Sequence, residues 1–299
     1  VRDYGAEGDG TTDDRAAFAA ADAAADGREV VVHDGDYFIG SNLTVTNPIR
    51  FDGKLVMPDS IRLSLKENFD LDGYSEAFDD DLEGFKKGVQ QLFNQSDFEA
   101  FDMCGRRVVL DEPLDIQASV GNRNTYANRR VVRNGQFVAA ASPGWTDTVQ
   151  TRSGSWSESA AFELTGVSNA DSIPVGSLVT APQGVGREVY VRAVNAALNK
   201  VFLSSPLVQP PASQTYTFTR FKYMMDFIGW QNLQRFVVSD IEFLCAGLSS
   251  AIMLPLDGLV FQIQDCFFTG PKDRGITSVD EGCQGMLIDR CQFLSNEQT

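Results

Sequence analysis

The chain has one histidine, His33, in 299 residues, so imidazole-based catalysis and His-rich metal sites have almost no material to work with. Cysteine is also scarce. Cys104, Cys245, Cys266, Cys283 and Cys291 are odd in number and lack CxxC spacing. That argues against a zinc site or a disulfide framework and for buried free thiols. No run approaches the roughly 18 apolar residues of a spanning helix, so membrane insertion is not expected. The chain starts Val1-Arg2-Asp3-Tyr4, without Met or a signal-peptide pattern. Basic residues are outnumbered: 25 Lys plus Arg against 41 Asp plus Glu, a net charge of −16. Such a surface repels nucleic-acid phosphates and anionic membranes, so neither is expected as a partner. Arg123, Arg129, Arg130 and Arg133 form a local basic cluster, which a solvated face also explains.

The first ten residues carry Gly5, Gly8 and Gly10, a turn-rich opening. Thr12 or Asp13 then offers an oxygen to cap an alanine-rich helix over 15–25, anchored by Phe18 and ended by Gly27. Val30–Val32 and Tyr37–Ile39 read as short strands. A similar unit recurs: an amphipathic helix over Leu82–Phe93, then strands at Arg107–Leu110 and Leu114–Ile116, with an insertion of about ten residues near Ser96–Gly105. Residues 142–161 are rich in Ser, Thr and Gly and read as a loop or linker. Residues 162–222 alternate in short, closely spaced strands broken by Pro, Gly and Asn, the pattern of a small inserted antiparallel barrel or sandwich.

Residues 223–299 hold the decisive pattern. Phe236–Phe243, Phe261–Phe268 and Met286–Phe293 align at steps of 25 residues. Four columns are apolar in every copy: Phe236/Phe261/Met286, Val238/Ile263/Ile288, Ile241/Cys266/Cys291 and Phe243/Phe268/Phe293. Within each copy the period of two breaks once, which implies a bend at Ser239-Asp240, Gln264-Asp265 and Asp289-Arg290. Coils stacked at about 4.8 Å would place like residues over like, making Cys266 and Cys291 structural.

The opening Val1–Phe18, with Val30–Val32 and Gly35–Ile39, resembles the N-terminal signature of the pectate-lyase-like superfamily. The resemblance covers about the first 50 residues. It implies a mainly β fold: a right-handed parallel β-helix with N-terminal capping helices, carrying here the inserted small antiparallel β-domain. The expected organisation is capping units over 1–141, a linker over 142–161, the insert over 162–222, and the first coils over 223–299 of something longer.

That superfamily includes pectate lyases, polygalacturonases, alginate epimerases and phage tailspike depolymerases, and fold does not choose among them. The Asn-Thr-Asp, Asp-Asp, His-Gly and Arg-Ile-Lys motifs of polygalacturonase-like hydrolases are missing from the repeat region. Asp13-Asp14 reads as a helix cap, and Asp240 and Asp265 as polar residues at the bend. One loop, Gly270–Gly282, offers Asp273 with Asp280 or Glu281 beside Lys272 and Arg274. Two carboxylates about 5–10 Å apart can serve as acid and as base or nucleophile at a glycosidic bond; a charged surface loop is the plainer account. Trp145, Trp156, Tyr126 and Trp230 are the candidates for stacking on sugars, against partial burial in the core. No metal ligands and no cofactor are identifiable, and calcium enters only if the protein is a lyase. The resemblance points to three functions. The first is a polysaccharide-binding, homotrimeric spike or fibre of a phage or phage-like particle such as a gene transfer agent, displayed on the virion beside other particle proteins. The others are a secreted polysaccharide lyase or hydrolase and a structural adaptor.

Overall fold

The computed structural model describes residues 1–208, 212–279 and 282–295, and the protein is mainly β, with strand exceeding helix by 41% to 18%. The opening helix spans Arg15–Ala25. Of the two capping residues expected, Asp13 meets a helix amide (Arg15 N, 3.1 Å). Asp14 occupies the cap position but turns its carboxylate back onto Glu7 N and Gly8 N, at 2.7 and 3.1 Å, closing the glycine-rich turn. Val30–Val32 pairs in parallel with Ile49–Phe51, Leu43–Val45 with Leu63–Leu65, and Asp36–Phe38 with Lys54–Val56.

Two helices follow, Leu71–Phe78 and Asp81–Leu92. Asp70 and Asp80 cap them, the latter accepting from Leu82 N and Glu83 N at 2.8 Å each. Glycine lets the second helix approach its neighbours. A Cβ on Gly88 would lie 2.1 Å from the Phe101 ring, and one on Gly84 would lie 2.8 Å from Ser75 N. The first of these helices was not expected, and Ile116, read as the end of the strand Leu114–Ile116, instead opens a short helix, Ile116–Val120, capped by Asp115. An Asp side chain ahead of apolar residues supplies the missing acceptor in both cases.

Beyond residue 113 the chain visits three parallel sheets in a fixed order, pass after pass. The first sheet stacks Leu114–Asp115, Tyr223–Asp226, Ser250–Met253 and Ile276–Thr277. The second stacks Thr125–Tyr126, Asn232–Gln234, Asp257–Leu259 and Gly282–Gln284. The third stacks Arg130–Ala139, Phe236–Leu244, then Gln262–Gln264 with Phe267–Thr269, then Leu287–Asp289 with Gln292–Leu294. Two of the columns read from the sequence are columns of the sheet: Val238 pairs with Ile263 and Ile263 with Ile288, and Phe243 pairs with Phe268 and Phe268 with Phe293. Phe137 extends the ladder one pass earlier, with successive ring centroids at 5.7, 5.1 and 4.8 Å and planes within 17°. Phe85 of the second helix meets Phe137 edge-on at 5.1 Å, closing the ladder at that end. In the last described pass the column residues Met286, Ile288 and Phe293 are 39, 42 and 46% exposed, because among the described residues no strand stacks beyond them.

The expected bend is a left-handed corner. Asn134, Asp240, Asp265 and Arg290 occupy it in successive passes with φ between +51° and +61°. Asn and Asp tolerate this region. Arg290 is held there by a two-pronged bond to the Asp265 carboxylate, at 2.6 and 2.7 Å.

The stretch expected as a loop contains a nine-residue strand. Thr148–Trp156 pairs antiparallel with Ala212–Arg220 along its whole length, from Thr148↔Arg220 to Trp156↔Ala212. Its Ser, Thr and Gly content looks like linker, but a long ladder overrides weak local propensity. Leu178–Thr180 completes this sheet, and Glu163–Leu164, Lys200–Leu203 and Val191–Asn195 form a second. The two enclose a separate core including Leu164, Val179, Val201, Tyr216 and Phe218.

All five thiols are free. Cys245, Cys266 and Cys283 are buried, but Cys104 is exposed at a turn with φ +56°, against the expectation of burial. Burial pushes the three inner thiols up to about 12, which removes the nucleophilic thiolate at neutral pH. A thiol reagent is expected to modify Cys104 in the native protein and to reach Cys245, Cys266 and Cys283 only on unfolding; mass spectrometry reads the sites. Phe268→Ala opens the middle of the phenylalanine ladder and is expected to cost about 3–5 kcal/mol in denaturant titration.

Candidate functional site

The aromatic candidates separate by burial. Trp145, Trp156 and Trp230 are 3, 6 and 0% exposed, so none offers a ring face to a sugar. Trp145 and Trp156 donate to the carbonyls of Ala140 and Ala161, each at 2.8 Å, which lets amphipathic rings in polar segments enter the core. Trp230 lies against Phe93 at 4.8 Å.

Tyr126 is half-buried and lines an open polar cleft of about 850 Å³. Its walls come from the strands near 42–44 and 62–66, the end of the 81–92 helix with 93–99, and the stretch 123–130. Phe93 meets the Tyr126 ring edge-on at 4.9 Å, and the guanidinium groups of Arg130 and Arg123 lie 5.1 and 5.9 Å from its centroid. Arg130 is buried and donates to the carbonyls of Leu92, Gln95 and Arg129 at 2.6, 2.5 and 2.8 Å. Lys66 pairs with Asp97, and Arg129 with Glu99. Amides of Asn42, Asn94, Gln95 and Asn128 complete the lining. Three of the four clustered arginines, Arg123, Arg129 and Arg130, line this cleft, whereas Arg133 pairs with Asp102.

Asp273 lies in the loop that returns from the third sheet to the first. The loop is tied to the preceding pass by Lys272 N to Ser249 O (2.9 Å) and Arg274 N to Ser250 Oγ (3.1 Å). Asp280 and Glu281 lie outside the described residues. A carboxylate that the sequence reading missed stands near Asp273: Asp147, at the root of the antiparallel insert. Lys272 Nζ is 2.5 Å from Asp147 Oδ2 and 4.0 Å from Asp273 Oδ2. Burial pushes the Asp273 carboxyl up and the Asp147 charge pushes it further, with Lys272 and Arg274 only partly opposing. Beside this group Arg274 binds Glu188 of the insert at 2.7 Å, and Tyr190 donates to the same carboxylate at 3.1 Å. Two neighbouring carboxyls, one of them pushed up by burial, are the material from which an acid and a base can be made. No local signal marks Asp147, because stacking brings it to Lys272 across 125 residues.

Among the described residues no group of three or more His, Cys, Asp or Glu side chains could hold a metal ion, and no helix is long and apolar enough to cross a membrane.

No protein-family model matches the chain, and no curated protein does. Among solved structures, the Gp54 tailspike of Acinetobacter baumannii bacteriophage AP22, in complex with A. baumannii capsular saccharide, is similar at 10% identity, covering 74% of this chain and 46% of that one, with a TM-score of 0.22. The chain therefore spans less than half of that tailspike's chain.

A carboxyl with a raised folded-state pKa leaves stability untouched below the unfolded value of about 3.9, and stability is lost as pH rises through the folded value. Asp273→Asn is accordingly expected to raise the melting temperature at about pH 7 and to leave it unchanged at about pH 3. Calorimetry at the two pH values checks this.

Proposed function

We propose that the stacked passes are the opening coils of a right-handed parallel β-helix, and that the protein is a polysaccharide-binding spike or fibre of a phage or phage-like particle. It would act as a homotrimer on the particle surface, facing the host's surface polysaccharide. The observation that carries this reading is the open polar cleft beside Tyr126. A polysaccharide presents hydroxyls and ring oxygens along an extended chain. Recognising it calls for amides and guanidinium groups fixed in a groove, which Asn42, Asn94, Gln95, Asn128 and Arg123 supply. The resemblance of residues 1–50 to the pectate-lyase-like superfamily supports the same reading.

A second reading, hydrolysis of the bound chain, is favoured by the pairing of Asp273 with Asp147. In this reading Asp273, whose carboxyl burial pushes up, would give a proton to the glycosidic oxygen as the C–O bond breaks. Asp147 would take a proton from the water that attacks the anomeric carbon, so the products are two sugar ends and the carboxyl proton has changed sides. Calcium would enter only for elimination in place of hydrolysis.

The test is incubation with surface polysaccharides from candidate hosts, followed by chromatographic sizing. Retained, intact polysaccharide supports the binding spike. Shortened chains make the protein an enzyme, and Asp147→Asn and Asp273→Asn are then each expected to lower the cleavage rate at least about 100-fold while retention persists. New unsaturated ends assign a lyase. Neither retention nor cleavage across the panel would leave a structural adaptor between particle proteins.

A further inference from the structure

We propose that Lys272 and Asp147 are the partners of an intramolecular isopeptide bond, an amide between the lysine amine and the aspartate side chain that fastens the root of the insert to the stack. Position is the first ground. Lys272 Nζ stands 2.5 Å from Asp147 Oδ2, and the contact joins residues 125 apart. Lys272 lies in the loop between the third and first sheets, where its backbone amide donates to Ser249 O at 2.9 Å. Asp147 directly precedes the insert strand Thr148–Trp156. Enclosure is the second ground. The Asp147 side chain is 19% exposed, and its Oδ1 is buried with no hydrogen-bond partner among the described residues. Lys66 and Asp97 also touch, but there the carboxyl is 51% exposed and the amine holds it below its usual range, as an ordinary surface pair.

A second carboxyl gives the third ground. Asp273 Oδ2 is 4.0 Å from the same Nζ. Burial pushes the Asp273 carboxyl up and the Asp147 charge adds to this, which suits it to carry a proton. Asp273 is the chain neighbour of Lys272 and stands farther from the amine, so it is the proton carrier and Asp147 the acceptor. A proton passes from the Lys272 ammonium to the Asp147 carboxylate, and the freed lone pair attacks Asp147 Cγ to form the C–N bond. Asp273 gives a proton to the departing hydroxyl as the C–O bond breaks, then takes one from the new amide nitrogen. One water leaves, Asp273 is restored, and nothing is oxidised or reduced. Well-oriented intramolecular reactions reach effective concentrations of roughly 10⁵–10⁸ M, and the amide also removes two opposite charges from a mostly enclosed site. The bond is independent of the polysaccharide reading. It excludes hydrolysis by Asp147, which as an amide has no carboxyl left to accept a proton.

The contact described is the state before reaction, so the bond accumulates after folding. The experiment is mass spectrometry of the whole chain, fresh and after prolonged incubation, followed by tryptic mapping. The expected result is a chain lighter by the mass of one water, and a branched peptide joining residues 134–152 to residues 236–274, because trypsin does not cut after an amidated Lys272. Lys272→Arg keeps the charge that faces Asp147 and is expected to abolish the branch, and Asp273→Ala to lower its yield about tenfold or more. Circular dichroism confirms that both variants fold. A wild-type chain that keeps its full mass through incubation overturns the bond. So does a water lost with the two peptides still separate, the sign of a succinimide at an Asp-Gly step. A branch that persists in Lys272→Arg overturns the assignment to Lys272, and an undiminished yield in Asp273→Ala overturns the role of Asp273.

Discussion

The constraint on which the rest of the structure depends is register. In a parallel stack each strand hydrogen-bonds to the pass before it, so a column stays apolar only if every pass delivers its inward residues in step. Val238, Ile263 and Ile288 keep that step, as do Phe243, Phe268 and Phe293. Everything chemical hangs from it. The loop bearing Lys272 and Asp273 is fixed because its backbone is tied to Ser249 and Ser250, one pass earlier. The polar cleft is fixed because Thr125–Tyr126 and Arg130–Ala139 belong to the same stack, while Phe93, behind Tyr126, also touches Trp230 and Phe236 of the next pass.

Corners are where the register is set. Residues held at φ near +55° cost on the order of 1 kcal/mol unless their side chains suit the conformation. The column Asn134, Asp240, Asp265 uses residues that do. A second column, Arg235, Val260 and Gly285, includes a β-branched valine at φ +58°, a position that glycine fills more easily one pass later. The stack tolerates that strain because the strands on either side of Val260 are paired both above and below.

Much of this architecture was legible in the sequence, and the gaps have physical causes. The 25-residue columns, the bend at Asp240 and Asp265, and the helices over 15–25 and 82–93 follow from periodicity and capping, which are local. Phe137 was not found as a member of the ladder because its neighbour Phe243 lies beyond the insert. The strand Thr148–Trp156 was read as loop because its stability resides in pairing with Ala212–Arg220, not in its own residues. Burial of Trp145, Trp156 and Trp230 likewise depends on which carbonyls and rings surround them. The two carboxylates near Lys272 were half visible: Asp273 stands out as a charged loop residue, whereas Asp147 reaches Lys272 only through a contact made by folding.

The antiparallel insert leaves the stack and rejoins it at nearly one point, since Thr148 pairs with Arg220. Arg220 is then clamped to Asp226 of the next pass, and its guanidinium lies over Tyr223. Because exit and return adjoin, the stack sets no length for what lies between them. This junction is therefore a natural splice point. Recombination can exchange one insert for another of different size and surface there while the columns beneath keep their order. A lineage can in this way change what its insert presents without refolding the stack that carries it.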